Sequence, residues 1–300
     1  KNILLFLLFL IPFSFNSYAT IEIDITEGNR EPLPIAITNF FHDGNEKITN
    51  TDLPSKIRGV IQNDLESTGL FNSIDEKAFI QENKSLHLKP RFADWRLINS
   101  QGLVTGDLKI EDDRLKVEFR LWDTLAEKEI EGLVLITTPD NWRRISHMIA
   151  DKIYERLTGE EGYFDTRIVY VAEEGPKNNR VKKLAIMDQD GANHKFLTSG
   201  KELVLTPRFN PVRQEITYLS YFKNLPRVYL LNIQTGIQEV VGDFPGMTFA
   251  PRFSPDGNKI IMSLAREGNS DIYVMNLNSR VVERLTDSPA IDTSPTYSPD

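Results

Sequence analysis

The C-terminal half of this chain repeats a motif at intervals of 44 residues, and this period limits the folds that the chain can adopt. A proline placed two residues before an aromatic residue recurs at Pro207, Pro251 and Pro295. The last residues of "LAIMD", "VYLLN" and "IYVMN" keep the same spacing, as do the second residues of "FLTS", "VVGD" and "RLTD". A fixed period of roughly 20 to 50 residues is typical of repeat folds, whose units stack against one another.

Each repeat reads as four short strands. "IIMSL" and "DIYVMNL" alternate and are rich in β-branched and aromatic residues, whereas "SPDG", "NIQTG" and "DQDG" contain the residues that tight turns require. The inner, second, third and outermost strands are typified by "PRFS", "IIMSL", "IYVMN" and "ERLT". Radial repetition of four-stranded sheets is a β-propeller, in which neighbouring blades protect one another's edges. Residues 161–300 are therefore predicted to form a β-propeller.

The repeat is out of phase with the ends of the sequence. Its first unit begins with a second strand, "RIVYV" (167–171), and "SPTYSPD" (294–300) reads as an inner strand without a following second strand. About three blades are present, whereas propellers close with about four to eight. We therefore expect a longer natural chain and a propeller that is incomplete at its C-terminus here. Six blades of this period would end at about residue 430.

Residues 20–160 show no repeat and are predicted to form an α/β domain, with a mixed sheet and two helices. "IEIDI", "PIAITNF" and "LVLITT" read as strands, and "LVTGDLKIEDDRLKVEFRLWD" reads as a hairpin that turns at Glu111 to Arg114. The first helix follows Asp52, which can cap it, and ends at Gly69. Its apolar face contains Ile57, Ile61 and Leu65.

The second predicted helix lies in "TPDNWRRISHMIADKIYERLTG", which begins with a capping threonine, Thr138, and ends at Gly159. Pro139 suits the first turn of a helix because its missing N–H is not needed there. His147 lies within this helix, and a packed or exposed histidine is favoured over a metal ligand because no second histidine stands four residues away. The apolar residues of one helix face are Trp142, Ile145, Ile149, Ile153 and Leu157.

The first residues have the pattern of an export signal. Lys1 is followed by an apolar run from Ile3 to Phe15 and by a small-x-small exit that ends at Ala19. A membrane anchor is the alternative, but the run is shorter than the ~20 residues that a spanning helix needs. Residues 1–19 are therefore predicted to be a cleaved signal peptide. In a bacterium such a signal would export the protein to the periplasm.

Composition and motifs exclude several function classes. The formal net charge of −8 does not favour nucleic-acid binding, which requires a basic face. The sequence contains no cysteine, which excludes disulfides, thiolate zinc sites and a cysteine nucleophile within it. None of the four histidines lies in H-E-x-x-H, and no G-x-S-x-G elbow occurs. We therefore predict no catalytic residues, no cofactor and no metal site.

The loops that lead into the inner strands should share one face of the propeller. These loops, 201–206, 244–250 and 287–294, contain apolar residues where polar residues are usual, namely Met247, Phe249 and Ile291. Contiguous exposed apolar surface marks partner sites. The alternative is that these side chains tuck under their own blades.

Five stretches, distributed over both halves, are specific enough to compare with known families. They are "DLESTGLFNSID", "FADWRLINSQGLVTGDL", "VEFRLWD", "ISHMIADKIYERLTGEEGYFDTRIVYVAE" and "PRFSPDGNKIIMSLAREGNSDIYVMNL". In these stretches the chain resembles the TolB family, the periplasmic propeller proteins of the Tol–Pal envelope system. The resemblance implies an α/β domain followed by a six-bladed propeller, in a monomeric protein that is not an enzyme.

The resemblance also implies two protein partners, and through them a role in outer-membrane invagination during cell division and in outer-membrane integrity. The protein itself would not be an integral membrane protein. TolA, which reaches out from the inner membrane, would bind the mature N-terminal strand, formed by Thr20, Ile21, Glu22, Ile23, Asp24 and Ile25. This strand could equally pack back on its own domain. Pal, the peptidoglycan-associated lipoprotein of the outer membrane, would bind the propeller face at Thr206, Met247, Phe249, Ala250, Asp292 and Thr293.

Two other function classes stay open at the level of the sequence. The repeat also fits the propeller of a prolyl-peptidase-like serine hydrolase, whose catalytic domain would follow Asp300. A periplasmic sugar- or metal-binding propeller would require convergent polar residues in its central channel, and the visible blades show few of them.

Overall fold

The computed structural model describes residues 21–24, 31–42, 52–81, 89–222, 225–242 and 244–298. The chain divides into two compact units, and the boundary lies between Asp165 and Thr166. The predicted signal peptide, residues 1–19, lies outside the described residues. Within the described ranges, every helix is too short or too polar to serve as a transmembrane span.

A five-stranded mixed sheet forms the middle of the N-terminal unit. Its strands are β1 (Leu33–Ile37), β2 (Phe71–Ser73), β3 (Gly102–Glu111), β4 (Arg114–Asp123) and β5 (Lys128–Thr137), in the order β2-β1-β3-β4-β5. β1 pairs in parallel with β2 and β3, and the other neighbours are antiparallel. β3 and β4 form the predicted hairpin. Its turn residues, Asp112 and Asp113, both have positive φ, as a type I′ turn requires.

Helices cover both faces of this sheet. α1 (Leu53–Ser67) and α3 (Trp142–Thr158) pack on one face, and their predicted apolar residues join the sheet in a single core. A short helix that the sequence did not predict, α2 (Phe92–Leu97), covers part of the other face. There it forms a second, aromatic cluster with residues of β1, β3 and β4, and the members of this cluster are Ala36, Phe92, Trp95, Leu103 and Trp122.

The helix ends differ from the predictions in how they are capped. Gly69 and Gly159 follow α1 and α3 with φ of 72° and 77°, as the sequence indicates. The carboxylate of Asp52 accepts from the Ser55 hydroxyl rather than from a helix N–H, so the predicted side-chain cap is not formed. Thr138 precedes a 3₁₀ turn at Pro139–Asn141, and its hydroxyl likewise makes no cap hydrogen bond to the backbone.

The side chain of His147 is buried between α3 and α1. Its Nδ1 lies 2.6 Å from Oδ2 of Asp64, and the two side chains are 3% and 1% exposed. Asp64 stands beside Leu65 in the buried part of α1, where a carboxylate costs free energy unless it has a partner. This pair therefore couples the two long helices across the core.

The C-terminal unit consists of three consecutive antiparallel sheets. The first contains β6 (Arg167–Glu174), β7 (Val181–Asp188) and β8 (Lys195–Phe196). The second contains β9 (Val204–Phe209), β10 (Glu215–Ser220), β11 (Arg227–Asn232) and β12 (Gln238–Val240), and the third contains β13 (Met247–Phe253), β14 (Lys259–Arg266), β15 (Asn269–Asn276) and β16 (Val282–Arg284). Both four-stranded sheets follow the predicted inner-to-outermost order, so these sheets are blades of a partial β-propeller.

The predicted inner strand, residues 294–300, is not formed at its described residues, 294–298. An inner strand pairs with the second strand of its own blade, and no such strand follows within the described residues. The segment instead bonds to the third sheet. The N–H of Asp292 donates to the carbonyl of Ser270 at 2.8 Å, and the N–H of Ser294 donates to Ser263 Oγ at 3.1 Å.

Neighbouring blades are joined by apolar clusters and by a polar contact. One cluster lies between the first and second sheets and another between the second and third. Asn210 Nδ2, after the inner strand of the second sheet, donates to the carbonyl of Gly257 in the third sheet at 3.0 Å. Arg213 Nη2 donates to the same carbonyl at 2.8 Å. The strand turns of adjacent blades are therefore tied together at this end.

Candidate partner-binding site

Three residues at equivalent positions of successive repeats share an unusual backbone conformation. Thr206, Ala250 and Ser294 have φ of 47°, 51° and 58°, and each of them precedes a proline. A left-handed φ costs a residue with a Cβ roughly 1 to 2 kcal/mol. Such strain persists only where the surrounding structure imposes it, and it is concentrated at functional sites.

In both four-stranded sheets the strained residue belongs to a β-bulge. The register between β9 and β10 shifts so that Thr206 and Pro207 stand opposite a single residue. The register between β13 and β14 shifts in the same way at Ala250 and Pro251. Bulges bend a strand and re-aim its side chains, and the residues ahead of each bulge, 204–205 and 247–249, stay paired with the second strand.

The rim, which we define as residues 201–206, 244–250 and 287–294, presents apolar side chains to solvent. Met247 is 38% exposed and Ile291 is 70% exposed, so neither side chain tucks under a blade. Phe249 is half-buried opposite Ser263 of β14. Leu203 stands one repeat before Met247 and is 40% exposed. The sequence reasoning missed Leu203, although the repeat spacing could have found it.

The predicted rim residues lie in β9, in β13 and in the segment that follows β16. Thr206 and Thr293 are exposed, and Ala250 and Asp292 are half-buried. The full predicted set is Thr206, Met247, Phe249, Ala250, Asp292 and Thr293. Apolar and hydroxyl groups of this kind suit contact with another protein's surface, where a desolvated centre is combined with a few hydrogen bonds.

The third rim loop is held in place by hydrogen bonds from buried serines. Ser270 Oγ donates to the carbonyl of Asp292 at 3.1 Å, and the carbonyl of Ser270 accepts from the N–H of Asp292 at 2.8 Å. Ser263 Oγ accepts from the N–H of Ser294 at 3.1 Å. Ser263 and Ser270 are 0% and 5% exposed, so these contacts are shielded from water. The backbone on both sides of Thr293 is therefore fixed before any partner binds.

Side chains of β15 and β16 also contact the third rim loop. Arg284 Nη2 lies 2.7 Å from Asp271 Oδ2 and 2.8 Å from Asp287 Oδ1, so it bridges strand β15 and the loop. Desolvation alone would lower the pKa of Arg284, but the hydrogen bond and charge of Asp271 outweigh it and raise that pKa. Asn269 Nδ2 also donates to the carbonyl of Ser288 at 2.9 Å. The loop is therefore anchored at both ends.

An open cleft of about 1350 Å³ lies beside the second sheet, but its aromatic wall belongs to the core. The rings of Tyr218 and Tyr229 stack with centroids 5.8 Å apart, and the Tyr218 hydroxyl donates to Gln238 Oε1 at 2.8 Å. Burial raises the pKa of Tyr218 to about 12, so its hydroxyl stays protonated near neutral pH. Both rings are less than 10% exposed, and they serve packing between blades.

The N-terminal segment packs on its own unit. Ile23 is 8% exposed and belongs to the main core, and its N–H donates to the carbonyl of Leu157 near the end of α3 at 2.6 Å. The N–H of Ile21 donates to Asp123 Oδ2 at 2.9 Å. Both N–H groups therefore donate to a helix-end carbonyl or a carboxylate and not to a neighbouring strand. The predicted strand is not formed at residues 21–24.

The remaining residues of the predicted N-terminal binding segment are placed as follows. Glu22 and Asp24 are exposed, on either side of the buried Ile23. Thr20 and Ile25 lie outside the described residues. Alternation of exposed and buried side chains is what an edge-pairing strand requires, so the segment keeps that pattern even in its packed state.

Two family models match this chain. One is described as the TolB amino-terminal domain and matches residues 21–130, and the other is described as the TolB beta propeller domain and matches residues 154–300. Together they cover most of the chain, in the order of its two units. The chain belongs to the TolB family.

Curated TolB proteins are closely similar to this chain. The Tol-Pal system protein TolB of Pelagibacter ubique (strain HTCC1062) is 62% identical over 252 residues, which are 82% of this chain and 56% of that protein. The Tol-Pal system protein TolB of Paramagnetospirillum magneticum (strain ATCC 700264 / AMB-1) is 56% identical over 234 residues, which are 77% of this chain and 51% of that protein. The chain thus spans about half the length of the curated TolB relatives that it matches.

A solved TolB structure agrees with the architecture. The crystal structure of TolB from Acinetobacter baumannii matches 91% of this chain and 65% of that chain, with a TM-score of 0.72 and 29% sequence identity. The predicted fold class, an N-terminal α/β domain followed by a partial β-propeller, is confirmed. The count of six blades in the complete chain stays a prediction.

Proposed function

We propose that this chain is a non-enzymatic periplasmic adaptor of the Tol–Pal system, which links TolA at the inner membrane to the lipoprotein Pal at the outer membrane. By holding and releasing Pal it would support outer-membrane invagination during division and outer-membrane integrity. The observation that carries this proposal is the 62% identity, over both units, to a protein named Tol-Pal system protein TolB. The two units then supply one binding site each.

The propeller rim is the proposed Pal site. Two of its loops end at equivalent bulges, and the third loop is fixed by shielded hydrogen bonds with Ser263 and Ser270. A surface that is ordered before binding loses less conformational entropy in the complex. Thr206 and Ala250 lie at the bulges of successive inner strands, and Thr293 precedes Ser294, the equivalent position of the next repeat, so we expect a single partner surface to reach all three.

The N-terminal segment, residues 20–25, is the proposed TolA site. Its alternating pattern suits addition to a sheet edge of a partner, which provides main-chain hydrogen bonds. In the packed state two of these N–H groups, those of Ile21 and Ile23, are already bonded within the N-terminal unit. TolA therefore competes with the packed state, and this competition offers a switch that can alter Pal binding at the other unit.

The serine-hydrolase alternative receives less support than the adaptor. The similarity to TolB continues through the N-terminal unit, where the TolB amino-terminal model matches residues 21–130. Propellers as a class host many unrelated functions, so the repeat by itself favours neither reading. The N-terminal match is what favours the adaptor.

The proposal is tested by recovery of partners from envelope extract with the full-length mature protein. We expect a peptidoglycan-associated lipoprotein to be recovered, and we expect Ala250→Arg or Thr293→Arg to abolish its recovery because each places a long charged side chain on the rim. The matched control is Val212→Arg, at an exposed position (68%) at the opposite end of the inner strand. Equal recovery of the lipoprotein by all four proteins would refute the proposed site.

A further inference from the structure

The segment that follows α3 folds back onto that helix before the chain enters the propeller unit. Gly159 ends α3 with φ of 77°, and its N–H donates to the carbonyl of Glu155 at 2.9 Å. The ring of Phe164 is fully buried in the main core of the N-terminal unit. It meets the ring of Tyr154 edge to face, with centroids 5.8 Å apart. We call residues 159–165 the linker, and its last residues are thus packed as part of the N-terminal unit.

One carboxylate of α3 holds the backbone of the linker. Asp151 Oδ1 accepts from the N–H of Phe164 at 2.6 Å, and Asp151 Oδ2 accepts from the N–H of Asp165 at 3.0 Å. Burial raises the pKa of Asp151, and these two hydrogen bonds, which lower it, offset that effect only in part. The charged carboxylate is therefore kept in this position at a cost in free energy. Ionisable groups kept at such a cost are concentrated where the structure serves a function.

The linker also lies too close to α3 for a side chain at Gly162. A Cβ added at Gly162 would lie 2.5 Å from the Cα, Cβ and Oδ1 atoms of Asp151. Backbone segments approach this closely only where one residue has no Cβ. Arg144 Nε lies 3.1 Å from Asp165 Oδ2, but the Arg144 side chain is 69% exposed, so this ion pair contributes little. The attachment of the linker therefore depends on Asp151, Gly162 and the ring of Phe164.

The chain is bonded to the first blade directly after the linker. The carbonyl of Thr166 accepts from the N–H of Gln189 at 3.2 Å, and β6 begins at Arg167. The N–H of Asp165 is thus held in one unit, and the carbonyl of the next residue is held in the other. Because the peptide bond between them is planar, only the φ and ψ rotations of these two residues remain.

We propose that Asp151 and the linker form a clasp, which reduces the connection between the two units to a single joint at Asp165 and Thr166. While the clasp is closed, the units can reorient only through the backbone rotations of these two residues. If the clasp opens, all of residues 159–165 become a tether. Motion between domains is the usual expectation, and the clasp would restrict it here. This inference does not depend on which partners the two units bind.

Cleavage by chymotrypsin tests the clasp, because this protease cuts after aromatic residues and the linker contains Tyr163 and Phe164. Asp151→Ala removes both acceptors, and we expect the linker to be cut about tenfold faster, since cleavage follows the population of the open form. Gly162→Ala should act in the same direction through its clash with α3. The matched control is Glu155→Ala, which removes a carboxylate that is 51% exposed one turn along α3 and should leave the rate unchanged.

A distance measurement between the units tests the joint itself. The sequence contains no cysteine, so Asn63→Cys on α1 and Lys177→Cys in the first blade can carry two spin labels at exposed positions. Double electron–electron resonance should give one narrow distance distribution for this labelled chain. Asp151→Ala should broaden the distribution about twofold, because the linker then becomes a flexible tether. Asp151→Asn keeps one acceptor and should give an intermediate width.

The outcomes separate the two parts of the inference. A broad distance distribution in the chain with an intact Asp151 would overturn the single joint. Equal cleavage rates and equal distributions in Asp151→Ala and Glu155→Ala would overturn the role of Asp151. Circular dichroism spectra that match the unsubstituted chain exclude unfolding of the helix, and if Asp151→Ala does not fold, Asp151→Asn and Gly162→Ala provide the same comparison.

Discussion

The two units of this molecule are stabilised in different ways. The N-terminal unit has one large core in which α1, α3 and the sheet bury a continuous set of aliphatic residues. The propeller unit has smaller clusters between successive sheets, together with hydrogen bonds from side chains to the backbone of the neighbouring blade. A repeat fold depends on the interfaces between its units, so its stability is spread over many local contacts.

The same contrast exists among the blades. On the third strands, the N–H groups of Leu184 and Ile272 donate within their own blade, to the hydroxyl oxygens of Thr198 and Thr286 at 2.9 Å and 3.0 Å. In the second sheet, Gly242 occupies the position equivalent to these threonines and has no hydroxyl. The N–H of Val228 donates instead to the hydroxyl oxygen of Thr248 in the next blade, at 2.9 Å. The second blade therefore depends on its neighbour for a contact that the other two supply themselves.

The largest expected effect lies in the N-terminal core. Phe119→Ala removes a fully buried ring from β4 and should lower the free energy of unfolding by about 3 to 5 kcal/mol, through lost burial and the cavity left behind. Urea denaturation followed by circular dichroism measures it. The control Val134→Ala, on β5 at a position 45% exposed, should stay within about 0.5 kcal/mol of the unsubstituted protein. Similar losses in both variants would mean that this unit has no dominant core.

Alkaline pH tests the interface between the first two blades. Burial raises the pKa of Tyr218 to about 12, above the ordinary value of 10.0 that applies in the unfolded chain. The stability contribution of its neutral phenol is intact below pH 10 and is lost as the pH rises through 12, which amounts to about 2 to 3 kcal/mol. The urea midpoint should therefore fall less between pH 9 and pH 11.5 in Tyr218→Phe than in the unsubstituted protein. An equal fall in both proteins would place the titration elsewhere.

The polar contact between the second and third blades is tested at Gly257. This glycine has φ of 67°, and an added Cβ would lie 2.3 Å from Asn210 Oδ1. Gly257→Ala should cost about 2 kcal/mol, because backbone strain is combined with displacement of Asn210. Gly268→Ala, where φ is 85° and nothing lies within 4 Å of the added Cβ, measures the strain alone and should cost less. A larger loss at Gly268 would contradict the importance of the contact.

The smallest expected effect distinguishes the second blade from the third. Thr248→Val removes the acceptor of the buried Val228 N–H, and an unsatisfied buried donor costs about 1 to 2 kcal/mol. Thr286→Val removes the corresponding acceptor at a half-buried position, where water can replace it, and should cost less. Thermal unfolding of the two variants gives the comparison. The reverse order would show that the contact between blades is dispensable.

The repeat made the propeller unit the more predictable of the two. Three anchors at one spacing were enough to assign the strand order, because every blade solves the same packing problem. The α/β unit offered only local patterns, which predicted the long helices and the hairpin. They missed α2, whose six residues are too few for a periodic signal, and the parallel pairing of β1 with β2 and β3, which depends on contacts distant in sequence.

The backbone conformation of the rim was not predicted from the sequence. Thr206, Ala250 and Ser294 precede prolines, a context that favours extended backbone, so their left-handed φ could not be expected from local preferences. The bulges depend on pairing with β10 and β14, which only the folded sheet supplies. The serines that hold the third loop, Ser263 and Ser270, have no equivalents in the second blade, where Leu219 and Pro226 stand. The repeat therefore gave no signal for them.

The central claim is that each unit holds a different partner, and titration calorimetry with TolA and with lipid-free Pal tests it directly. Ala250→Arg should weaken Pal binding by at least about tenfold and leave TolA binding unchanged. Removal of residues 20–25 should abolish TolA binding and shift the dissociation constant for Pal, because the packed segment is then missing from the N-terminal unit. An unchanged Pal affinity in Ala250→Arg, or TolA binding that survives the truncation, would contradict the account.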